Sequence, residues 1–402
     1  MVDPPLSAGA AGLPSPQARP PLPATGAWQA GDPVGERRFV TVRADRALAL
    51  EAGGRLQGIT VAYETWGRLN RDASNAILVC HALTGDAHAA GRSGPGQPTT
   101  GWWDDLIGPG RALDTDRYFV VCSNVLGGCQ GTTGPASIDP DSGRPWGSRF
   151  PVVSIRDMVR VQRFLTDQLG VEQWLSVVGG SMGGMQVLEW GVLFPQRMRS
   201  LVPIASTAAA SAQQVSWSAV GRMAVCNDPR WRGGDYYEAA PGDGPQDGLA
   251  LARQIAQIHY RSEAVFEERF GRRLVGPATD RFGLGTKFDV ESYLDYQGTK
   301  LVARFDANTY LLLNRAMDFH DLARGRGSLE AALARIDVPV GIMSITTDTL
   351  YPPYQQQRLR DALRSQGTPV DYVDVESPHG HDGFLLEFEQ VGAAIEKFLG
   401  RL

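Results

Sequence analysis

Short apolar runs alternate with segments of helical periodicity along most of the chain. Ala76-Ile77-Leu78-Val79-Cys80, Phe119-Val120-Val121-Cys122 and Leu175-Ser176-Val177-Val178 are nearly continuous apolar runs, the pattern of strands buried on both faces. Between the second and third, Ser154 with Asp157 three residues on forms a capping-box signature. Ile155, Met158, Val159, Leu165 and Leu169 then supply an apolar stripe, and Gly170 a stop. Strand–helix–strand alternation predicts a parallel sheet flanked by helices. Upstream, Phe39-Val40-Thr41-Val42 and Ile59-Thr60-Val61-Ala62-Tyr63 alternate with period two and predict antiparallel strands leading into that sheet.

The rhythm breaks after a further strand, Leu201-Val202-Pro203-Ile204-Ala205. The next convincing one, Val338-Pro339-Val340-Gly341-Ile342-Met343, lies far downstream, although a crossover helix requires only about a dozen residues. Helical patterns at 249–260 and 309–322 fill the gap and predict an inserted helical subdomain. Strand-like Val370-Asp371-Tyr372-Val373-Asp374-Val375 and a helix over 391–399 complete the pattern. The expected organisation is a flexible tail over 1–35, an α/β core over 36–205 and 338–402, and a helical lid over 206–337. The tail assignment rests on composition: residues 1–33 hold eight of the 26 prolines, which remove backbone donors.

Charge and cysteine content narrow the function classes. The 402 residues carry a formal net charge of −5, so the chain lacks the basic footprint of a nucleic-acid or anionic-membrane binder. No apolar run approaches the ~18 residues of a membrane span, and the N-terminus lacks a secretory pattern. Cys80, Cys122, Cys129 and Cys226 show no zinc-site spacing. Cys80 and Cys122 sit inside apolar runs, where a thiol behaves as a small hydrophobe, and the expected setting is a reducing cytoplasm.

The chemistry centres on Gly179-Gly180-Ser181-Met182-Gly183, a G-x-S-x-G placed directly after a strand and before a helical stretch that Pro195 closes. The competing reading is a Gly-rich turn whose serine merely caps the helix. A serine hydroxyl requires an adjacent base and an orienting carboxylate. In an α/β-hydrolase these follow in the order Ser, Asp or Glu, His. Asp348 follows the resumed strand and His381 the last strand, so both order and placement fit. His379 competes with His381 for the base, and the pair His379-Gly380-His381 without further ligands is a weak metal motif. His81 reads as a residue of the oxyanion loop or behind it, and His88 and His259 as structural or substrate-facing. His320 falls in a helix of the insertion. Oxyanion donors are expected from the amides of Met182 and Leu83.

Several segments together resemble the homoserine O-acyltransferases of methionine biosynthesis, within the α/β-hydrolase superfamily. They are Cys80 through His88, Asn124-Val125-Leu126-Gly127-Gly128-Cys129, Gly179 through Trp190, Gln297-Gly298 and Arg304-Phe305-Asp306-Ala307-Asn308. Asp348-Thr349-Leu350-Tyr351-Pro352 and Gly380-His381-Asp382-Gly383-Phe384 complete the set. The resemblance spans roughly residues 36–400 and implies an α/β-hydrolase fold with a mostly parallel sheet, flanking helices and a helical lid. It implies that Ser181, Asp348 and His381 form the triad, and that Arg253 and Asp382 hold the acceptor's carboxylate and ammonium. It implies a ping-pong transfer from acetyl-CoA to L-homoserine, a lid that forms a tunnel for the CoA arm, no bound metal or redox cofactor, and a homodimer. Succinyl-CoA as donor, serine as acceptor, and water as acceptor in an esterase or thioesterase are the alternatives.

Overall fold

The computed structural model describes residues 21–276 and 283–402. Eight strands form one sheet: β1 (Arg38–Val42), β2 (Ile59–Trp66), β3 (Ala76–Cys80), β4 (Phe119–Ser123), β5 (Ser176–Gly180), β6 (Leu201–Ile204), β7 (Val340–Ile345) and β8 (Val370–Val375). Their spatial order is β1-β2-β4-β3-β5-β6-β7-β8. β1 and β2 join antiparallel, as their alternation predicts, and the strands from β4 to β8 pair parallel. In β3, Ile77 and Val79 enter an apolar cluster on one face while Ala76, Leu78 and Cys80 enter another on the opposite face. A strand covered on both sides therefore reads as an unbroken apolar run.

α1 (Ile155–Gln168) starts at the predicted capping box, where the Ser154 side chain accepts from Asp157 N–H. α2 (Met182–Leu193) follows β5, and α9 (Pro353–Ser365) and α10 (Phe388–Leu399) flank the last two strands. Between β6 and β7 the chain passes through α3 (Ala212–Cys226), α4 (Gln246–Tyr260), α5 (Glu263–Arg269), α6 (Asp289–Val302), α7 (Ala307–Asp318) and α8 (Leu329–Leu333). Their apolar side chains, including Val225, Leu249, Leu301 and Tyr310, share one cluster with Leu83, Met182 and Tyr351 of the sheet's upper edge. Leu322, Leu333 and Ile336 pack instead with the sheet. The segment that leaves the core therefore returns to it before residue 337.

The expected tail over 1–35 needs correction from residue 22 onward; residues 1–20 lie outside the described residues. Gly26 N–H donates to Phe305 O at 3.1 Å and Trp28 N–H to Cys129 O at 2.9 Å. Thr25 Oγ1 donates to Asp306 at 2.9 Å, and Gln246 Nε2 donates to the carbonyls of Leu22 and Pro23. Proline removes a donor but leaves its carbonyl, and the helical segment supplies side-chain amides to meet it.

Arg156 is a buried tie between the layers. Its Nε donates to Glu189 of α2 at 2.9 Å and Nη1 to Glu51 at 2.7 Å, while Nη2 serves the carbonyls of Asp321 and Arg324. Glu189 is completed by Arg326. Arg156→Met leaves Glu189 short of one buried partner, and we expect ~3–5 kcal/mol of lost stability, read from the urea midpoint. A loss below ~1 kcal/mol would show that the network is not a structural tie.

Candidate active site

The parallel register aligns the ends of the central strands: Cys80 opposite Gly179, Ile204 opposite Gly180, and Ile345 opposite Val375. The loops carrying Leu83, Ser181, Asp348 and His381 therefore leave the sheet along one edge, where parallel sheets gather their ligands. Ser181 joins β5 to α2 with φ 59° and ψ −122°, a backbone conformation rarely adopted by a residue with a side chain. Glycine on both sides makes that turn possible. A Cβ on Gly183 would lie 2.1 Å from Cys80 O, and one on Gly180 would lie 2.4 Å from the Phe384 ring. Ser181 N–H donates to Ile204 O and Ser206 Oγ donates to Ser181 O, so both of its backbone polar groups are held.

The structure brings Ser181, His381 and Asp348 together. His381 Nε2 lies 2.8 Å from Ser181 Oγ and Nδ1 lies 2.7 Å from Asp348 Oδ2. The other Asp348 oxygen accepts the N–H groups of Leu350 and Tyr351 at 2.8 Å each, which fixes the carboxylate plane. With Nδ1–H directed at a carboxylate, Nε2 is left to accept the serine proton. Tyr260, Tyr351 and Phe384 ring the imidazole at centroid distances of 5.6, 5.1 and 5.5 Å. Burial acts to lower the imidazole pKa, but the charge and hydrogen bond of Asp348, with Asp382 beyond it, outweigh that and hold it above its ordinary value. His379 stays outside, 3.9 Å from Glu387.

Met182 and Leu83, the two expected oxyanion donors, follow β5 and β3 respectively. Met182 opens α2, so its N–H has no partner within the helix. Leu83 lines a small cavity together with His259, Tyr260, Tyr310 and Tyr351. His81 fastens the loop carrying Leu83: Nδ1 meets Ala82 O at 2.7 Å and Nε2 accepts Val125 N–H at 3.0 Å. Burial lowers its pKa, as befits a neutral ring with both nitrogens engaged. A buried amide chain adds to this, with Trp190 and Gln162 leading to Gln186, which donates to His81 O at 3.2 Å.

Arg253 and Asp382 both act electrostatically on Tyr260. The Arg253 guanidinium lies 5.6 Å from the Tyr260 ring centroid. Burial pushes the Tyr260 phenol up to about 12, with Arg253 pulling it down and Asp382 pushing it further up. Tyr260 was not singled out by sequence, although its seven-residue spacing from Arg253 puts both on one helix face. Arg261 was also missed; it pairs with Asp382 at 3.1 Å. The remaining histidines have structural partners. His88 pairs with buried Glu64 at 2.9 Å, His259 stacks on Trp217, and His320 meets Thr207 O. Burial lowers both His259 and His320 to about 4.

Residues 75–388 match the alpha/beta hydrolase fold family. A homoserine O-acetyltransferase of Thermobifida fusca is 53% identical over 95% of this chain and 98% of its own length. Another from Moorella thermoacetica is 52% identical over 89% of this chain and 94% of its own length. Among solved structures, a homoserine O-acetyltransferase from Bacillus anthracis superposes with a TM-score of 0.83 at 28% identity, covering 91% of this chain and 97% of that one. The structure of esterase E22 superposes with 0.82 at 28% identity, covering 90% and 99%. With nearly its whole length matched at this identity, and the strand order, glycine-flanked serine and strand-edge loops in place, the chain belongs to the homoserine O-acetyltransferase family of the alpha/beta hydrolases.

Proposed function

We propose that this chain transfers the acetyl group of acetyl-CoA to the γ-hydroxyl of L-homoserine, a step of methionine biosynthesis, through an acetyl-Ser181 intermediate. The observation that carries the reading is the hydrogen-bonded relay Ser181–His381–Asp348 beside a helix-capped cavity in a chain of this family. His381 Nε2 takes the Ser181 proton as Oγ bonds to the thioester carbonyl carbon. The Met182 and Leu83 amides hold the oxyanion. Collapse breaks the C–S bond, and His381 returns the proton to the departing CoA sulfur. In the second half, His381 takes the proton of the homoserine hydroxyl, whose oxygen attacks the acetyl carbonyl. The serine then leaves and recovers its proton. Asp348 stays ionised throughout and stabilises the imidazolium.

Arg253 receives the acceptor's carboxylate and Asp382 its ammonium, each charge meeting its opposite. The residues assigned to these steps are acids, bases and amides, and the reaction is written without a resident cofactor. Acetyl is favoured over succinyl because a donor carboxylate would require a cationic partner of its own. A homodimer through the helical segment is supported by exposed Val220 and Met223 on α3, Leu251 and Ile258 on α4, and Tyr296 on α6. No described helix is long and apolar enough to cross a membrane. We assign the chain to the cytoplasm, a setting in which its free cysteines remain thiols. Hydrolysis is the second reading, favoured by the likeness to esterase E22.

The acceptor and donor are tested by thiol release from acetyl-CoA and from succinyl-CoA, with L-homoserine, with L-serine, and with neither. Release that depends on homoserine and acetyl-CoA is expected. Equal release without an amino acid would establish a hydrolase, and succinyl preference would relocate the donor assignment. Ser181→Ala and His381→Ala should abolish acyl-enzyme formation, and activity within about tenfold of wild type in either would overturn the triad.

The base must be neutral to act, so acylation should fall as pH drops through a midpoint above the ~6.5 of an ordinary imidazole. Asp382→Asn removes a charge that favours the imidazolium and should move that midpoint down. A midpoint at or below the ordinary value in the wild type, or an upward move in the variant, would contradict the assignment.

A further inference from the structure

The carboxylate assigned to the acceptor's ammonium already has a cation. Arg261 Nη2 lies 3.1 Å from Asp382 Oδ2, with the two side chains 16% and 14% exposed. Arg261 sits one residue past the end of α4, in extended backbone conformation (φ −103°, ψ 152°), so its side chain departs from the helix. Its Nε is buried without a hydrogen-bond partner, and the pair with Asp382 leaves the five-donor fork incompletely used. Arg261 also lines an outer cavity together with Glu263 and Glu267, two exposed carboxylates on or beside the first turns of α5. The backbone around it is anchored separately, with Ser262 Oγ donating to Pro378 O and Thr349 Oγ1 to His259 O. The guanidinium therefore pairs with Asp382 while sharing a cavity with two further carboxylates, on a backbone whose neighbours are held by bonds of their own.

The chemistry of the reaction gives this arrangement a purpose. Transfer to the γ-hydroxyl leaves the amino acid's ammonium and carboxylate unchanged, so a site that grips the acceptor by these groups grips the O-acyl product equally well. We propose that Arg261 is an internal competitor for Asp382. The incoming ammonium displaces it toward Glu263 and Glu267, and its return to Asp382 expels the acylated product. The inference rests on the assignment of Asp382 to the acceptor's ammonium.

The test is calorimetric binding of O-acetyl-L-homoserine, with KM for L-homoserine and for 4-hydroxybutyrate, an acceptor without the ammonium. It compares wild type, Arg261→Met, Arg261→Lys and the double variant Glu263→Gln/Glu267→Gln. Removing the competitor should tighten product binding and lower the homoserine KM by the same factor, roughly fivefold, without tightening 4-hydroxybutyrate. Arg261→Lys should behave as wild type. The double variant removes the second destination and should weaken homoserine and product together. Weaker or unchanged homoserine and product binding in Arg261→Met would overturn the proposal, as would equal tightening of 4-hydroxybutyrate or an unaffected double variant. A wild-type protein that binds neither homoserine nor its acetyl ester would overturn the acceptor assignment itself, and this inference with it.

Discussion

The backbone of Ser181 is the constraint on which the rest of the site depends. A side-chain-bearing residue at φ 59° costs about 1–3 kcal/mol and persists only where its surroundings over-determine it. Here they do: β6 takes its N–H, Ser206 takes its carbonyl, and glycines at 179, 180, 183 and 184 permit contacts that any Cβ would forbid. The strain holds the hydroxyl at the strand edge rather than folded into the helix as a cap. Because Gly183 lies against Cys80 O, the same close packing brings the strand that leads to Leu83 beside the start of α2, so the positions of Ser181 and of the loop carrying Leu83 are set by one contact.

Electrostatics then divides labour among groups that are all poorly hydrated. Ser181 is 5% exposed and His381 3%. In such surroundings an imidazolium survives only beside a fixed anion, and Asp348, locked by two backbone amides, is that anion. His81, His259 and His320 show the opposite outcome: without a carboxylate partner, burial lowers each of them. Of the sequence neighbours His379 and His381, only the second turns inward to both a carboxylate and a hydroxyl.

Local patterns were legible and distant pairings were not. The Ser154–Asp157 box, the apolar runs of β3 and β4, and the glycine-flanked serine each carry their meaning within a few residues. The order Ser181, Asp348, His381 follows from fold-level chain order. The aromatic ring around His381 draws Tyr260 from the end of α4 in the insertion and Tyr351 from the loop after β7, and nothing local in either segment announces that meeting. Arg261 reads as an ordinary helix-end cation until the fold brings it to Asp382. Leu22 through Gly26 read as a free tail because their partners Gln246, Phe305 and Asp306 lie more than two hundred residues away. The prolines of the expected tail advertise missing donors, whereas its docking uses the carbonyls of Leu22 and Pro23 together with the donors that remain, Thr25 Oγ1 and the N–H groups of Gly26 and Trp28.

The most direct test of the central claim is peptide mass spectrometry of the protein mixed rapidly with acetyl-CoA, then chased with L-homoserine. The account predicts one acetyl group on the peptide containing Ser181, lost on the chase with formation of O-acetyl-L-homoserine. An unmodified Ser181 peptide during turnover, or an acetyl group there that homoserine does not remove, would contradict it.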